Sequence, residues 1–317
     1  VAPAGGYSLV ELLIAMAIGV VLSFGAMNLL LHAKRSYLEA DELARLQENG
    51  RYALRYLSYE LTMAGYLATR FPAAAIPSAE TGTTCFDYLM DTAVPTEHFN
   101  DVNRDGEPAN GNQALPTDCL LRRKHVAGTD LLLLRRTASS PVFAGGERFA
   151  AVDADAIYLR AAPESGTLRL QRGGELTPGG ELWEYQPQIF FLRSYSIASG
   201  DGIPTLCRKR LGRSSNRMAP TECLVEGIEN LQVEFGIDDD GDQFVDRFDP
   251  SPDAAELAAA VAARIYLLVR AVNPVAGHSN DRTYTLGSTR VQAAGDGHYR
   301  RLMQTTVVLR NRRGFRS

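Results

Sequence analysis

Residues 1–36 read VAPAGGYSLVELLIAMAIGVVLSFGAMNLLLHAKRS, and this stretch decides how the rest of the chain is organised. Residues 12–31 are apolar almost throughout. As a helix, at about 1.5 Å per residue, they would reach roughly 30 Å, the thickness of a bilayer core. Gly19, Ser23, Gly25 and Asn28 dilute the run with small residues, which let other helices approach closely. His32, Lys34 and Arg35 end it and would sit at a membrane surface. Glu11 is the exception, because a carboxylate facing hydrocarbon costs about 2.5–3.5 kcal/mol and calls for a partner. A secretory signal peptide would carry a basic start and a small-residue cleavage site after its apolar core. Here the small residues, Ala4, Gly5 and Gly6, come before it.

Helical periodicity continues beyond the apolar run, with no proline until Pro72. Leu43, Leu46, Gly50, Ala53, Leu57, Leu61 and Ala64 recur at steps of three and four. Asp41, Glu42, Arg45, Glu48, Arg51, Arg55 and Glu60 are assigned to the other faces. The pattern predicts one helix from about Ser8 to about Met63, apolar all round in its first half and amphipathic in its second, with Gly65 as its stop. The first half then belongs in lipid or in a helical core, and the second half packs one stripe on a globular domain.

GGYSLVELLIAMAIG, residues 5–19, resembles the class III leader and N-methylation motif of type IV pilins and pseudopilins. Glycine ends the leader, an aromatic residue follows the cut, and a glutamate stands four residues beyond it. The resemblance implies that a prepilin peptidase cuts between Gly6 and Tyr7 and methylates the new amine of Tyr7. Glu11 then faces an amine, that of its own chain one turn away or that of a neighbouring subunit in a filament. Tyr7 replaces the usual phenylalanine, and VAPAGG lacks the basic residues of the family's leaders. LARLQENGRYALRYLSYELTMAGY, residues 43–66, is similar to the helix end of PilW-type minor pilins, as are GIENLQVEFGID and TTVVLRNR near the C-terminus.

The resemblance implies residues 1–6 as a prepilin leader, 7–35 as a transmembrane and filament-core helix, 36–66 as its amphipathic half, and 67–317 as a periplasmic β-rich domain. It implies a chain that crosses the inner membrane once and later reaches the pilus and cell surface. The implied partners are other minor pilins, the major pilin, the prepilin peptidase, the inner-membrane assembly platform and a PilY-type tip adhesin, with roles in adhesion and twitching motility. A pseudopilin of a type II secretion system shares the N-terminal plan and is the alternative.

The chain has 317 residues, 45% of them hydrophobic, and a net charge of −4, which excludes general disorder and disfavours a dedicated nucleic-acid binder. The tail from Tyr299 is an exception, with Arg300, Arg301, Arg310, Arg312, Arg313 and Arg316 and no acid. It reads as a final strand with solvated ends rather than a phosphate-binding arm. The four cysteines, Cys85, Cys119, Cys207 and Cys223, form no C-x-x-C pair, which disfavours zinc and redox motifs. In an oxidising compartment they make two disulfides, and Cys85–Cys119 with Cys207–Cys223 is the simplest of three pairings.

Residues 68–128 are rich in Pro, Gly, Thr, Asn and Asp and read as irregular surface structure. From Asp130 onward, DLLLLRR, DAIYLR, TLRLQR, QIFFLRSYSI, ENLQVEFGI, RIYLLVRAV and MQTTVVLR read as strands between Gly, Pro and Asp turns. PDAAELAAAVAARI reads as a helix, and Trp183 as a packing residue. The fold class is α+β and pilin-like, a long N-terminal helix laid on a mostly antiparallel sheet with one face covered.

Two loops carry oxygen ligands at the spacing hard cations need. In DDDGDQFVDRFD, Asp238, Asp240, Asp242, Asp246 and Asp249 fall at positions one, three, five, nine and twelve, with the Phe244 carbonyl at seven. The pattern predicts calcium, although Gln243 stands where such loops have glycine and Asp249 where they have glutamate. In DVNRDGEPANGN, Asp101, Asn103 and Asp105 match the early positions, while Ala109 and Asn112 replace the later acids, so a polar Asx-rich turn is the first reading. No G-x-S-x-G, H-E-x-x-H or G-x-x-x-x-G-K-[ST] occurs, and His32, His98, His125, His278 and His298 are scattered. The expectation is a structural and interaction protein rather than an enzyme.

Overall fold

In a computed structural model, the described residues are 8–67, 84–109, 114–120, 124–162, 167–176, 179–212 and 217–311. One helix, α1 (Leu9–Met63), runs through 55 residues without a break. The chain leaves it at Gly65, whose φ of 78° is open to glycine and whose N–H donates to the Arg135 carbonyl at 2.9 Å.

Three sheets and a hairpin follow, all antiparallel. The first sheet runs β1 (Thr96–Val102), β2 (Thr129–Leu134), β8 (Gln188–Arg193), β9 (Thr205–Arg210), β10 (Glu222–Glu226). The second runs β12 (Arg247–Asp249), β11 (Ile228–Ile237), β13 (Ala260–Arg270), β16 (Arg300–Val308). The third, an insertion between β2 and β8, runs β4 (Glu147–Arg148), β3 (Phe143–Ala144), β7 (Glu181–Glu184), β5 (Ile157–Ala162), β6 (Thr167–Arg172). A separate hairpin of β14 (Thr283–Leu286) and β15 (Thr289–Gln292) packs Leu286 against Tyr266 and Leu268 of the second sheet.

The upper half of α1 lies across β13, β16 and the edge strand β10. Leu46, Ala53, Leu57 and Leu61 meet Leu231, Val233, Ile265, Leu267 and Val269 in the largest apolar core. Gly50 is the point of closest approach: a Cβ there would press on Met303 and come within 2.9 Å of Val269 Cγ2. Both faces of the first sheet are covered, so β2 reads as an unbroken apolar run, and all six of its residues are buried.

Two expectations are corrected. The region 68–128 is not wholly irregular: it contains the short helix α2 (Cys85–Leu89) and β1, with Cys85, Leu89, Phe99 and Val102 buried in a second core. Polar residues interleave with these apolar ones, so period and composition gave no strand signal. The run PDAAELAAAVAARI is helical only over α3 (Ala254–Ala259), which Asp253 caps by accepting the Ala255 and Glu256 N–H groups at 2.8 Å. From Ala260 the chain is strand. Ala262 pairs with Gly236 on one side and Val308 on the other, and two ladders outweigh the helix preference of alanine.

Candidate functional site

At the start of α1, Ser8 is the N-cap, and its N–H donates to Glu11 Oε2 at 2.9 Å while its hydroxyl accepts from the first turn. Glu11 thus closes a capping box, a role its position three residues after a serine signals. Gly6 and Tyr7, the predicted cleavage pair, lie outside the described residues. From Leu9 to Leu38 the helix is exposed among the described residues: its large apolar side chains are all open, Phe24 to 71%. Among the described residues this is one helix long and apolar enough to cross a membrane.

The helix joins the domain from Glu39 upward. Tyr299 OH donates to Glu39 Oε1 at 2.5 Å, and Asn273 Nδ2 donates to Glu42 Oε1 at 2.7 Å. Near the other end, Glu60, only 2% exposed, accepts Arg136 Nε and Nη2 at 2.7 and 2.9 Å and Gln188 Nε2 at 3.0 Å. Glu42 and Glu60 were assigned to outer faces and are instead buried. Their positions show why, since 42, 46, 50, 53, 57, 60 and 64 form one stripe. The acids continue the apolar face and meet polar groups of the sheets.

The acidic loop links β11 to β12. Asp238, Asp240 and Asp246 each place a carboxylate oxygen within 4.8 Å of the others. Asp238 is buried at the end of β11 and accepts the Gly241 N–H at 2.6 Å and the Gln243 N–H at 3.2 Å. Gln243 has φ of 76°, so the loop makes with glutamine the left-handed turn usually given to glycine. Asp242 Oδ1 accepts the Phe244 N–H at 2.8 Å. Asp249 is engaged on both oxygens, with Arg247 Nη1 at 2.6 Å and the Ser251 N–H at 2.8 Å. Hydrogen bonds donated to Glu256, Asp239 and Asp249 hold the Arg247 guanidinium above its usual pKa. Of the sequence-derived set, three carboxylates converge, and Asp242 and Asp249 serve the loop itself.

The sequence matches the family model "Type IV Pilus-assembly protein W" over residues 194–311. It also matches the prokaryotic N-terminal methylation motif over residues 3–27. The chain carries a PilW domain behind a prepilin-type methylation motif. Among solved structures it is similar to a type IV-like pilin from Thermus thermophilus, at 13% identity and a TM-score of 0.40, covering 84% of this chain and 96% of that one. Among curated proteins, no sequence matches.

The region matched by the PilW model contains β9 to β16, so it covers the sheet on which α1 lies and the acidic loop. The methylation motif covers the start of the uncovered helix half, which accords with membrane anchoring. Two disulfides are present, Cys85–Cys119 and Cys207–Cys223. The first ties α2 to the segment after β1, and the second bridges facing residues of β9 and β10.

The second candidate loop is built as a turn. Asn103 Oδ1 accepts the Asp105 and Glu107 N–H groups at 2.9 and 3.0 Å, and Asp101 Oδ1 faces Gln232 Nε2 at 3.0 Å. Arg300, placed in the basic tail, has a fully buried side chain that pairs with Glu229 at 2.5 Å and Asp296 at 2.6 Å, so it does not face a phosphate. Arg312, Arg313 and Arg316 lie outside the described residues. Trp183 packs edge-on against Tyr66, with ring centres 5.9 Å apart.

Proposed function

We propose that this chain is a minor pilin that takes part in assembling and priming a type IV pilus, after a prepilin peptidase has cut between Gly6 and Tyr7 and methylated Tyr7. One observation carries the reading. A single helix is sealed to its own domain over residues 42–61 and left uncovered by the described residues over 9–38, with a methylation motif at its start. An apolar surface of that length needs lipid or other helices. The uncovered half rests in the inner membrane with the domain in the periplasm, then leaves lipid to pack among minor and major pilin helices at the assembly platform. A PilY-type adhesin is a further proposed partner, and the role is structural rather than catalytic.

Co-purification from the native host tests this. The full chain should bring down other pilins of its own system, and Glu11→Leu should remain in the membrane while its incorporation into filaments falls at least tenfold. Normal incorporation of Glu11→Leu overturns the role given to Glu11, and absence of any pilin partner overturns the assignment.

Calcium is proposed at the acidic loop in a narrower form, with Asp238, Asp240 and Asp246 as its carboxylates. Three converging carboxylates suit a hard cation with water completing the shell. Calorimetric titration of the full chain with calcium should give heat that Asp240→Ala removes. No heat, or heat unchanged by that substitution, overturns it.

A further inference from the structure

The turn between β8 and β9, residues 194–204, presents Ile197 to solvent at 92% exposure. This loop is not slack. The Asp201 carboxylate accepts the N–H groups of Ser196, Ile197, Ala198 and Ile203, at distances between 2.9 and 3.1 Å. Arg270 Nη2 donates to the Gly202 carbonyl at 2.6 Å, and the Gly227 N–H donates to the Pro204 carbonyl at 2.8 Å, tying the base of the loop to the second sheet. An aliphatic side chain is thus held outward on a preformed backbone. Two cations flank Tyr195, two residues before Ile197. The Arg193 guanidinium lies 4.0 Å from the centre of the Tyr195 ring and donates to the Tyr195 and Ser196 carbonyls, while Lys124 Nζ lies 5.8 Å from the same ring. The acids nearby are Asp201, engaged with backbone donors, and Glu226 at the end of β10.

The registers give the loop a direction. Gln188, at the start of β8, donates to Glu60, near the top of α1. At the other end Arg193 faces Thr205, Thr205 faces Glu226, and the Glu226 carbonyl accepts Asn49 Nδ2 at 3.1 Å. Strand β8 therefore runs down α1 from the level of Glu60 to that of Asn49, toward the apolar half of the helix. Both paths are about 16–17 Å long at the usual rises of helix and strand. The loop continues in that direction.

We propose that residues 194–203 form a foot resting on the anionic surface of the membrane that holds α1, with Ile197 in the headgroup layer and Lys124 and Arg193 against lipid phosphates. The proposal rests on the reading that residues 9–38 are membrane-anchored. Asn49 stands about 27 Å above Leu31, the end of the apolar run, and the loop, which bends at residues 194 and 196–198, continues in that direction from Arg193. A helix tilt toward the loop, within the ordinary range of up to about 40°, lowers it toward the headgroup layer, which is about 5–8 Å thick. Cations near an anionic leaflet and an apolar residue at the interface act together, as in other surface-bound segments.

The test is bromolipid quenching of Ile197→Trp in the full chain, reconstituted in vesicles of phosphatidylethanolamine and phosphatidylglycerol. The native Trp183 is 7% exposed within the third sheet and supplies the background. Brominated acyl chains should reduce the added emission at least twofold, and the quenching should weaken when phosphatidylcholine replaces phosphatidylglycerol or when Lys124→Glu is added. No quenching beyond background overturns the foot, including the case in which the loop meets a neighbouring pilin instead. Quenching indifferent to phosphatidylglycerol and to Lys124→Glu overturns the electrostatic part. Phe24→Trp, in the apolar half, separates the two readings: quenching there but not at 197 overturns the foot alone, and quenching at neither overturns the membrane anchor as well.

Discussion

Glu60 shows how one residue can look superficial in sequence and be central in the fold. Its carboxylate is shared by Arg136 and Gln188 at the seam between α1 and the first sheet. Removing one partner of such a pair leaves a buried charge uncompensated, at a cost of about 3–5 kcal/mol. Glu60→Ala should therefore lower the unfolding free energy of the full chain in detergent by about that amount. Glu60→Leu with Arg136→Leu should lose clearly less, because neither charge is then stranded; urea titration followed by tryptophan emission measures both. Gly50 is decided by contact. A leucine there would drive into Val269 and Met303, and overpacking of that kind costs about 1–3 kcal/mol, more than the roughly 1 kcal/mol gained in helix propensity. Gly50→Leu should be net destabilising in the same assay.

At the scale of elements, the two disulfides act on unlike surroundings. Cys207 and Cys223 face one another across the β9–β10 ladder, which already closes that loop, with a separation of 16 residues. Cys85 and Cys119, 34 residues apart, secure α2, which belongs to no ladder. In the chain-entropy description a loop of that kind is worth about 3–4 kcal/mol. Replacing Cys85 and Cys119 by alanine should cost more than replacing Cys207 and Cys223, and α2 should lose protection in hydrogen exchange while β9 keeps it. Equal losses would show that ladder and loop contribute alike. The element α3 makes a related point, since six helical residues between a capping aspartate and a strand are all that remain of a fourteen-residue alanine-rich run.

The whole domain should be sensitive to acid. Hydrogen bonds from Arg300 hold the Asp296 carboxyl well below the usual carboxylate range, and Arg208 does the same for Glu222. A group whose pKa is depressed on folding contributes stability that is complete above its unfolded value, about 4, and lost as pH falls toward the folded value. Stability should thus be level near neutrality and decline from about pH 5 downward. Arg300→Gln should lower stability at neutral pH and flatten the acid decline, read by thermal unfolding at a series of pH values. An unchanged slope would remove Arg300 and Asp296 as its source.

The sequence alone determined the long helix, its apolar and amphipathic halves, the family resemblance and all seven strands named from their apolar runs and turn residues. These signals are local: period, length and turn residues act within a few positions. Tertiary structure decided what depends on distant partners. Glu42 and Glu60 became interior because Asn273, Arg136 and Gln188 wait across the seam, and Ala262 became strand because ladders on both sides claim its backbone. The proposed foot could not be read at all, since the direction of the β8–β9 loop along α1 comes only from the registers of three paired strands.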